Sequence, residues 1–296
     1  MQRRTFGGTG LTVPVVGLGA GQIGEADVSE AQADALLNGA LDLGVTLVDT
    51  ALGYGSSEER IGRHLAHRRS EFVLTSKGGS GVPGQEDWTP ASVRAGLDQT
   101  LRRTRSERVD VYLLHSCSLE VLRRGDLQDT LDEAVAAGKV GVAGYSGDNE
   151  ALAYAAASGR FGAVECSVNL VDRWNLRNVL GGVPELGVIA KRPIANAPWR
   201  FADRPTGHYA ELYWERLREL ALDPADLGGA GLGWAELALR FSAYAPGVHT
   251  AIVGTASLDH LRANVEAAAR GPLPPEVLDA IDVAWPRVGS DWPSST

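Results

Sequence analysis

Asp49, Tyr54, Lys77 and His115 are residue types that move protons, and each lies at or just past the end of a short apolar run. Asp49 closes the run 45–49, and Tyr54 lies five residues on, in the loop after it. Lys77 follows 72–76 and His115 follows 109–114. A free tyrosine has a pKa near 10, which suits acid–base work at neutral pH poorly. A nearby ammonium favours the phenolate and lowers that value, and a carboxylate keeps the ammonium charged and oriented. With an imidazole to hydrogen-bond a substrate oxygen, the set fits delivery of a proton to a carbonyl as hydride arrives. Each residue alone is ordinary: a strand-end aspartate often caps, a lysine snorkels, and a single histidine is more often structural. Convergence on one site is what gives them chemical meaning, so the elements that carry them decide the matter.

Those elements alternate. Apolar runs at 13–18, 45–49, 72–76, 109–114, 140–145, 163–168, 188–190 and 250–253 read as strands buried on both faces. Segments of helical period separate them: 29–43 with Ser29 as cap, 58–66, Pro90–Thr104 with proline in the first turn, 127–137, 150–158 and 176–180. Two helical segments, 208–222 and 234–244, lie between the seventh and eighth strands, and 260–269 follows the eighth. Eight strands, each followed by a helix, are what a closed parallel (β/α)8 TIM barrel needs. No linker divides the chain, so 1–296 is expected to be a single α/β domain, and the tail 289–296 is expected to be mobile or folded over a barrel mouth. In such a barrel the residues that end strands face one common mouth. Topology therefore gathers the four.

A rival lies in Gly19-Ala20-Gly21-Gln22-Ile23-Gly24, which matches the dinucleotide fingerprint and follows a strand. In a Rossmann unit the glycines open the helix and set the pyrophosphate on its N-terminus. Here Glu25-Ala26-Asp27-Val28 intervenes before the Ser29 cap and places acids beside that phosphate. The segment fits better as a glycine-rich first loop of a barrel.

A net charge of −9 argues against nucleic acid or an anionic membrane as partner. Met1-Gln2-Arg3-Arg4 is followed by Gly7, Gly8, Gly10 and Pro14, so no apolar signal core forms, and a cytoplasmic protein is expected. Cys117 and Cys166 have no neighbouring thiol and read as reduced core residues. The six histidines show no ligand spacing, so no metal is expected and a zinc hydrolase fits poorly.

The sequence resembles the aldo-keto reductases over most of its length. The resemblance is carried by Arg4-Thr5-Phe6-Gly7, Gly17-Leu18-Gly19, Asp49-Thr50-Ala51 with Tyr54-Gly55 and Ser57-Glu58, Thr75-Ser76-Lys77, and Asp110-Val111-Tyr112-Leu113-Leu114-His115. Looser pieces are Gly144-Tyr145-Ser146, Asn169-Leu170, and Gly254-Thr255 with Leu261 and Asn264. The resemblance implies that Asp49, Tyr54, Lys77 and His115 are a catalytic tetrad with Tyr54 as general acid. It also implies an N-terminal hairpin plugging the far end of the barrel and a monomer. The cofactor is NADPH by family habit, with NAD possible, lying across the mouth against Gly19, Ala20, Gly21, Asp49, Ser146, Glu165, Lys191, Arg192, Gly254, Thr255, His260 and Asn264.

Several of these positions depart from the family. Gly147 follows Ser146 where asparagine is usual, with Asn149 two further on, and Glu165 replaces a glutamine. Lys191 takes the place of the aromatic that covers the nicotinamide; it covers the ring and disfavours the oxidised form, or it or Arg192 turns to a phosphate. Gly254 and His260 stand where a lysine and an arginine clamp the 2′-phosphate, which weakens discrimination between NADP and NAD. Trp88, Trp199 and Ser116-Cys117 are candidate substrate walls beside Tyr54 and His115. Aromatic walls suit an aromatic or apolar aldehyde or ketone. Two other functions share the fold: a cofactor-binding sensor or regulatory subunit, and a redox-neutral epimerase or dehydratase that retains its nicotinamide.

Overall fold

The computed structural model describes residues 1–227, 231–285 and 292–295. It opens with an antiparallel hairpin, β1 (Arg3–Thr5) and β2 (Thr12–Pro14). Eight parallel strands then close on themselves: β3 (Val16–Gly19), β4 (Leu47–Asp49), β5 (Val73–Gly78), β6 (Val109–His115), β7 (Val140–Ser146), β8 (Ala163–Ser167), β9 (Gly187–Lys191) and β10 (Thr250–Gly254), with β10 pairing back to β3. The expected (β/α)8 barrel is therefore present, and no open doubly wound sheet forms among the described residues. One expected strand, 13–18, is two elements. The chain changes partner at Pro14, which has no N–H to donate, and the Val15 amide bonds back to Gln2 while its carbonyl accepts from Ala251 in the barrel.

Side-chain alternation sorts the strands into two cores. Val48, Leu74, Tyr112, Leu114, Val164, Cys166, Val188 and Ala190 face the helices. Their alternates Leu47, Val111, Leu113, Ala163, Ile189 and Ile252 fill the barrel interior. Phe6, from the hairpin's turn, joins that interior and is fully buried. It fits because Gly187 has no side chain: a Cβ there stands 2.5 Å from the Phe6 ring. This is the plug at the N-terminal end of the strands.

The helices follow their signals closely. α1 (Glu30–Asp42) has a reciprocal capping box between Ser29 and Gln32, and α3 (Pro90–Thr104) has one between Thr89 and Ser92. α2 (Ser57–Leu65), α5 (Asp126–Ala136), α6 (Asn149–Ala157) and α7 (Trp174–Asn178) follow β4, β6, β7 and β8. α8 (Glu211–Leu220) is the extra helix between β9 and β10, ahead of α9 (Trp234–Ala243), and α10 (Leu258–Ala269) follows β10. Two helices carry no strong sequence signal. α4 (Leu119–Arg124) is too short to show a period, and α11 (Pro275–Ala284) starts on the second proline of the Pro274-Pro275 pair. α8, α9 and α11 build a satellite core around Tyr213, Leu237, Phe241, Val277, Ile281 and Trp285. Of the tail, 292–295 folds onto the loops after β7 and β8: Ser294 exchanges hydrogen bonds with Asn149, and Ser294 and Ser295 both donate to Asp172. Residues 289–291 and 296 lie outside the described part. Among the described residues no helix is long and apolar enough to cross a membrane, and no three metal-ligating side chains cluster.

Candidate active site

The inward-facing positions turn from apolar to polar at the C-terminal ends of the strands. Above the interior layer stand Asp49 on β4, Lys77 on β5, His115 on β6, Ser146 on β7, Glu165 on β8 and Lys191 on β9. Register sets His115 beside Ser146 and Ser146 beside Glu165. Lys77 is wholly buried, and its ammonium donates to both oxygens of Asp49, at 2.6 and 2.8 Å, and to the Thr50 carbonyl at 3.0 Å. The Lys77 nitrogen lies 5.2 Å from the centre of the Tyr54 ring, and that ring meets His115 edge-on at 5.7 Å. The structure thus brings all four sequence-selected residues together.

Tyr54 sits in a loop whose path is fixed from below. The Thr50 hydroxyl donates to Ser57, and the Ser57 hydroxyl donates to the Ala20 carbonyl, tying the loop after β4 to the loop after β3. Gly24 and Gly55 touch backbone to backbone: a Cβ on Gly55, itself at φ +52°, runs into the Gly24 carbonyl. The apparent dinucleotide fingerprint is therefore a packing device that seats the tyrosine loop. Glu58, at the start of α2, accepts from Ser76 and Thr100 and locks α2 against β5 and α3.

The electrostatics depart from expectation at Tyr54. Lys77 pulls the phenol pKa down, but burial and the negative charges of Asp49 and Glu165 outweigh it, so the net shift is upward. The expected lowering is thus corrected: the site keeps its proton on Tyr54 at neutral pH. Burial, Lys77 and Lys191 together press the His115 pKa down to about 4, leaving a neutral imidazole. Burial works against the Lys77 ammonium, yet Asp49 and Glu165 hold its pKa above the usual lysine value.

A cleft of about 790 Å³ opens beside this cluster, walled by Gly19, Gly21, Gln22, Tyr54, Arg192, Asn196, Arg200, His208, Tyr209 and Gly254, among others. Its lining is short of side chains, with four glycines from the loops after β3 and β4, and two arginines stand on one wall. Backbone at Arg192, Ala195, Asn196 and Ala197 is left-handed, a costly conformation concentrated where the chain lines the cleft. Low glycine walls, two arginines of which Arg200 is exposed, and a polar rim suit an extended anionic dinucleotide, so these residues fit a nicotinamide cofactor.

The other expected contacts are scattered. Ala20 is buried and its amide donates to the Asp49 backbone carbonyl. Ser146 donates to Glu165 at 3.2 Å, and Lys191 is turned to Asp148 at 3.0 Å. Arg192 lines the cleft and bonds Tyr209, Ser167 and the Ser295 carbonyl. Thr255 accepts from the Ser257 amide, His260 is exposed in the first turn of α10, and Asn264 is half-buried on it; none of the three lines the cleft. Trp88 folds over Gly79 at the edge of the mouth. Trp199 stacks on Trp234 at 5.7 Å against the satellite core and does not line this cleft. Sequence reasoning missed Gln22, Arg200, His208, Tyr209 and Asp148. Gln22 and Arg200 lie outside any periodic run, and His208 and Tyr209 fall just ahead of α8, where a helix is expected to begin; Asp148, two residues past β7 in Ser-Gly-Asp, is the one that position alone flags.

A closed parallel barrel carries a buried Asp–Lys pair, a tyrosine and a neutral histidine at its C-terminal mouth, next to a cleft whose shape suits a dinucleotide. The profile of the aldo/keto reductase family matches residues 15–286. The chain is 25% identical to an uncharacterized oxidoreductase, YqkF, of Bacillus subtilis, over 95% of each chain, and 27% identical to L-galactose dehydrogenase of Arabidopsis thaliana, over 90% of this chain and 88% of that one. In fold it is similar to the holo form of an aldo-keto reductase from Bacillus halodurans, with a TM-score of 0.81, 24% identity and 96% of each chain covered. The chain belongs to the aldo/keto reductase family and is an NAD(P)-dependent oxidoreductase.

Proposed function

We propose that the chain reduces an aldehyde or ketone reversibly to the alcohol, with Tyr54 as the general acid. The observation that carries this reading is Lys77, buried against Asp49 and held over the Tyr54 ring beside His115. The bound cofactor supplies the hydride. His115, neutral because burial and Lys77 disfavour its cation, donates a hydrogen bond to the carbonyl oxygen and orients it. Tyr54 gives that oxygen its proton, and the raised phenol pKa keeps the acid loaded at neutral pH. Lys77 stabilises the phenolate left behind, and Asp49 fixes Lys77 in place.

NADPH is the favoured cofactor and NADH an accepted one. Arg192 and Arg200 serve the pyrophosphate, while Gly254 and His260 put little fixed charge at the ribose end. The likeness to L-galactose dehydrogenase supports a small hydroxylated carbonyl compound as the substrate class. The chain works as a monomer, without nucleic acid or membrane. The test is to follow absorbance of NADPH and NADH with hydroxylated and aromatic aldehydes. Consumption that is faster with hydroxylated aldehydes is expected. Binding of cofactor with no consumption across the panel contradicts the enzymatic reading.

A further inference from the structure

Residues 292–295 are gripped by side chains that follow three different strands. The Ser294 amide donates to the Asn149 side chain at 2.7 Å, and Asn149 donates back to the Ser294 carbonyl at 2.9 Å. The Ser294 hydroxyl and the Ser295 amide donate to the two oxygens of Asp172, at 2.6 and 2.9 Å. Asp172 is buried in the loop after β8, and Tyr213 is its third donor. Arg216 on α8 holds the Pro293 carbonyl at 2.7 Å and covers the ring of Trp292, which packs edge-on against Trp285.

The remaining contact reaches the cleft. Arg192 lines it, and its Nη1 donates to the Ser295 carbonyl at 2.5 Å and to Ser167 at 3.0 Å, while Nε donates to Tyr209 at 3.0 Å. These bonds fix the plane of the guanidinium, and with it the direction of Nη2. The Arg192 backbone is left-handed, at φ +54°, a conformation that persists only where its surroundings hold it. Asn169 supplies one such grip, donating from its side chain to the Arg192 carbonyl at 3.1 Å. Asn169 and Asp172 are themselves joined by paired backbone hydrogen bonds, at 3.0 and 3.2 Å. One short turn thus holds the Arg192 backbone through Asn169, and through Asp172 it holds the segment that fixes the Arg192 guanidinium.

We propose that residues 292–295 are a strap that positions Arg192 in the cofactor cleft, with Asp172 as its hook. This rests on the reading above in which Arg192 serves the cofactor's pyrophosphate. A free arginine side chain gives up much rotamer freedom when it binds an anion. The Ser295 carbonyl, Ser167 and Tyr209 order it beforehand, and all three are neutral acceptors, so the guanidinium keeps its charge for the ligand. The coupling runs both ways: whatever the docked strap adds to cofactor binding, the bound cofactor adds to docking of the strap.

Hydrogen–deuterium exchange of the peptide carrying residues 292–295, with and without saturating NADPH, tests this on the full chain without turnover. In wild type NADPH is expected to slow exchange at the Ser294 and Ser295 amides by about five-fold or more, the lower end of ordinary coupling between sites. In Arg192→Met the strap is expected to exchange faster and to ignore NADPH, while the loop after β3 still slows and reports the bound cofactor. A strap that ignores NADPH in wild type overturns the proposal. So does an equal response in Arg192→Met, which is the mark of general tightening. Asp172→Asn blunts the hook and supplies the reciprocal arm. It is expected to weaken NADPH binding, read by fluorescence, when Arg192 is present and to add no loss to Arg192→Met. No loss in the first background, or equal losses in both, overturns the proposal, since a merely structural role of Asp172 gives additive losses. Melting temperatures check that the variants fold. A responding strap in a protein that reduces no carbonyl overturns the reductase reading alone; an unresponsive strap in an active reductase overturns the strap alone.

Discussion

Lys77 donates to both carboxylate oxygens of Asp49, at 2.6 and 2.8 Å, and solvent reaches neither side chain to any useful extent. Removing one partner of a buried pair leaves the other charge uncompensated, at a cost of about 3–5 kcal/mol. Lys77→Met is therefore expected to lose about 3 kcal/mol of stability in urea unfolding. Adding Asp49→Asn to it is expected to restore part of that loss. Equal stability of Lys77→Met and wild type contradicts the buried pair.

The plug depends on Gly187 yielding its side-chain space to Phe6. Gly187→Ala overpacks the barrel floor and is expected to cost about 1–3 kcal/mol. Phe6→Ala empties it and is expected to cost about 3–5 kcal/mol. In the double variant the new methyl group occupies part of the vacated space, so the two losses add to less than their sum. Additive losses in a thermal-unfolding cycle contradict the contact.

Gly55→Ala strains a left-handed residue and drives a Cβ into the Gly24 carbonyl, so the loop carrying Tyr54 must move. A misplacement of about 1 Å at a reacting group costs on the order of 100-fold in rate. Turnover is expected to fall by about that factor, with cofactor affinity measured by fluorescence within about two-fold of wild type. A rate equal to that of wild type contradicts the seating role of the glycine pair.

His115 has a folded pKa near 4 against 6.5 for the free side chain. The folded chain thus binds this proton more weakly than the unfolded chain. Stability from the neutral imidazole is fully present above pH 6.5 and is lost as pH falls toward 4. Relative to His115→Gln, wild type is expected to lose about 3 kcal/mol over that window. Parallel stability curves contradict a buried neutral imidazole.

The sequence carries much of this arrangement because strand periodicity and strand-end chemistry are local signals. Asp49, Lys77 and His115 follow apolar runs directly, and Tyr54 keeps a short fixed distance from Asp49. What sequence reasoning misses is set by distant partners. Nothing local says that Glu165 reaches Lys77 or that Lys191 turns to Asp148. Nor does anything local say that Trp199 stacks on Trp234, thirty-five positions on. The direction of the Tyr54 shift also needs three dimensions, since it is the sum of one cation, two carboxylates and burial.

The central claim is that Tyr54 gives the proton to the reduced carbonyl, and single-turnover reduction by Tyr54→Phe tests it most directly. The variant keeps the ring against His115 and Lys77 and removes only the hydroxyl. With NADPH bound and a hydroxylated aldehyde in excess, the hydride step is expected to slow by about 100- to 10,000-fold, the span a positioned general acid contributes. Cofactor affinity is expected to be unchanged. A Tyr54→Phe enzyme that consumes NADPH as fast as wild type contradicts the account.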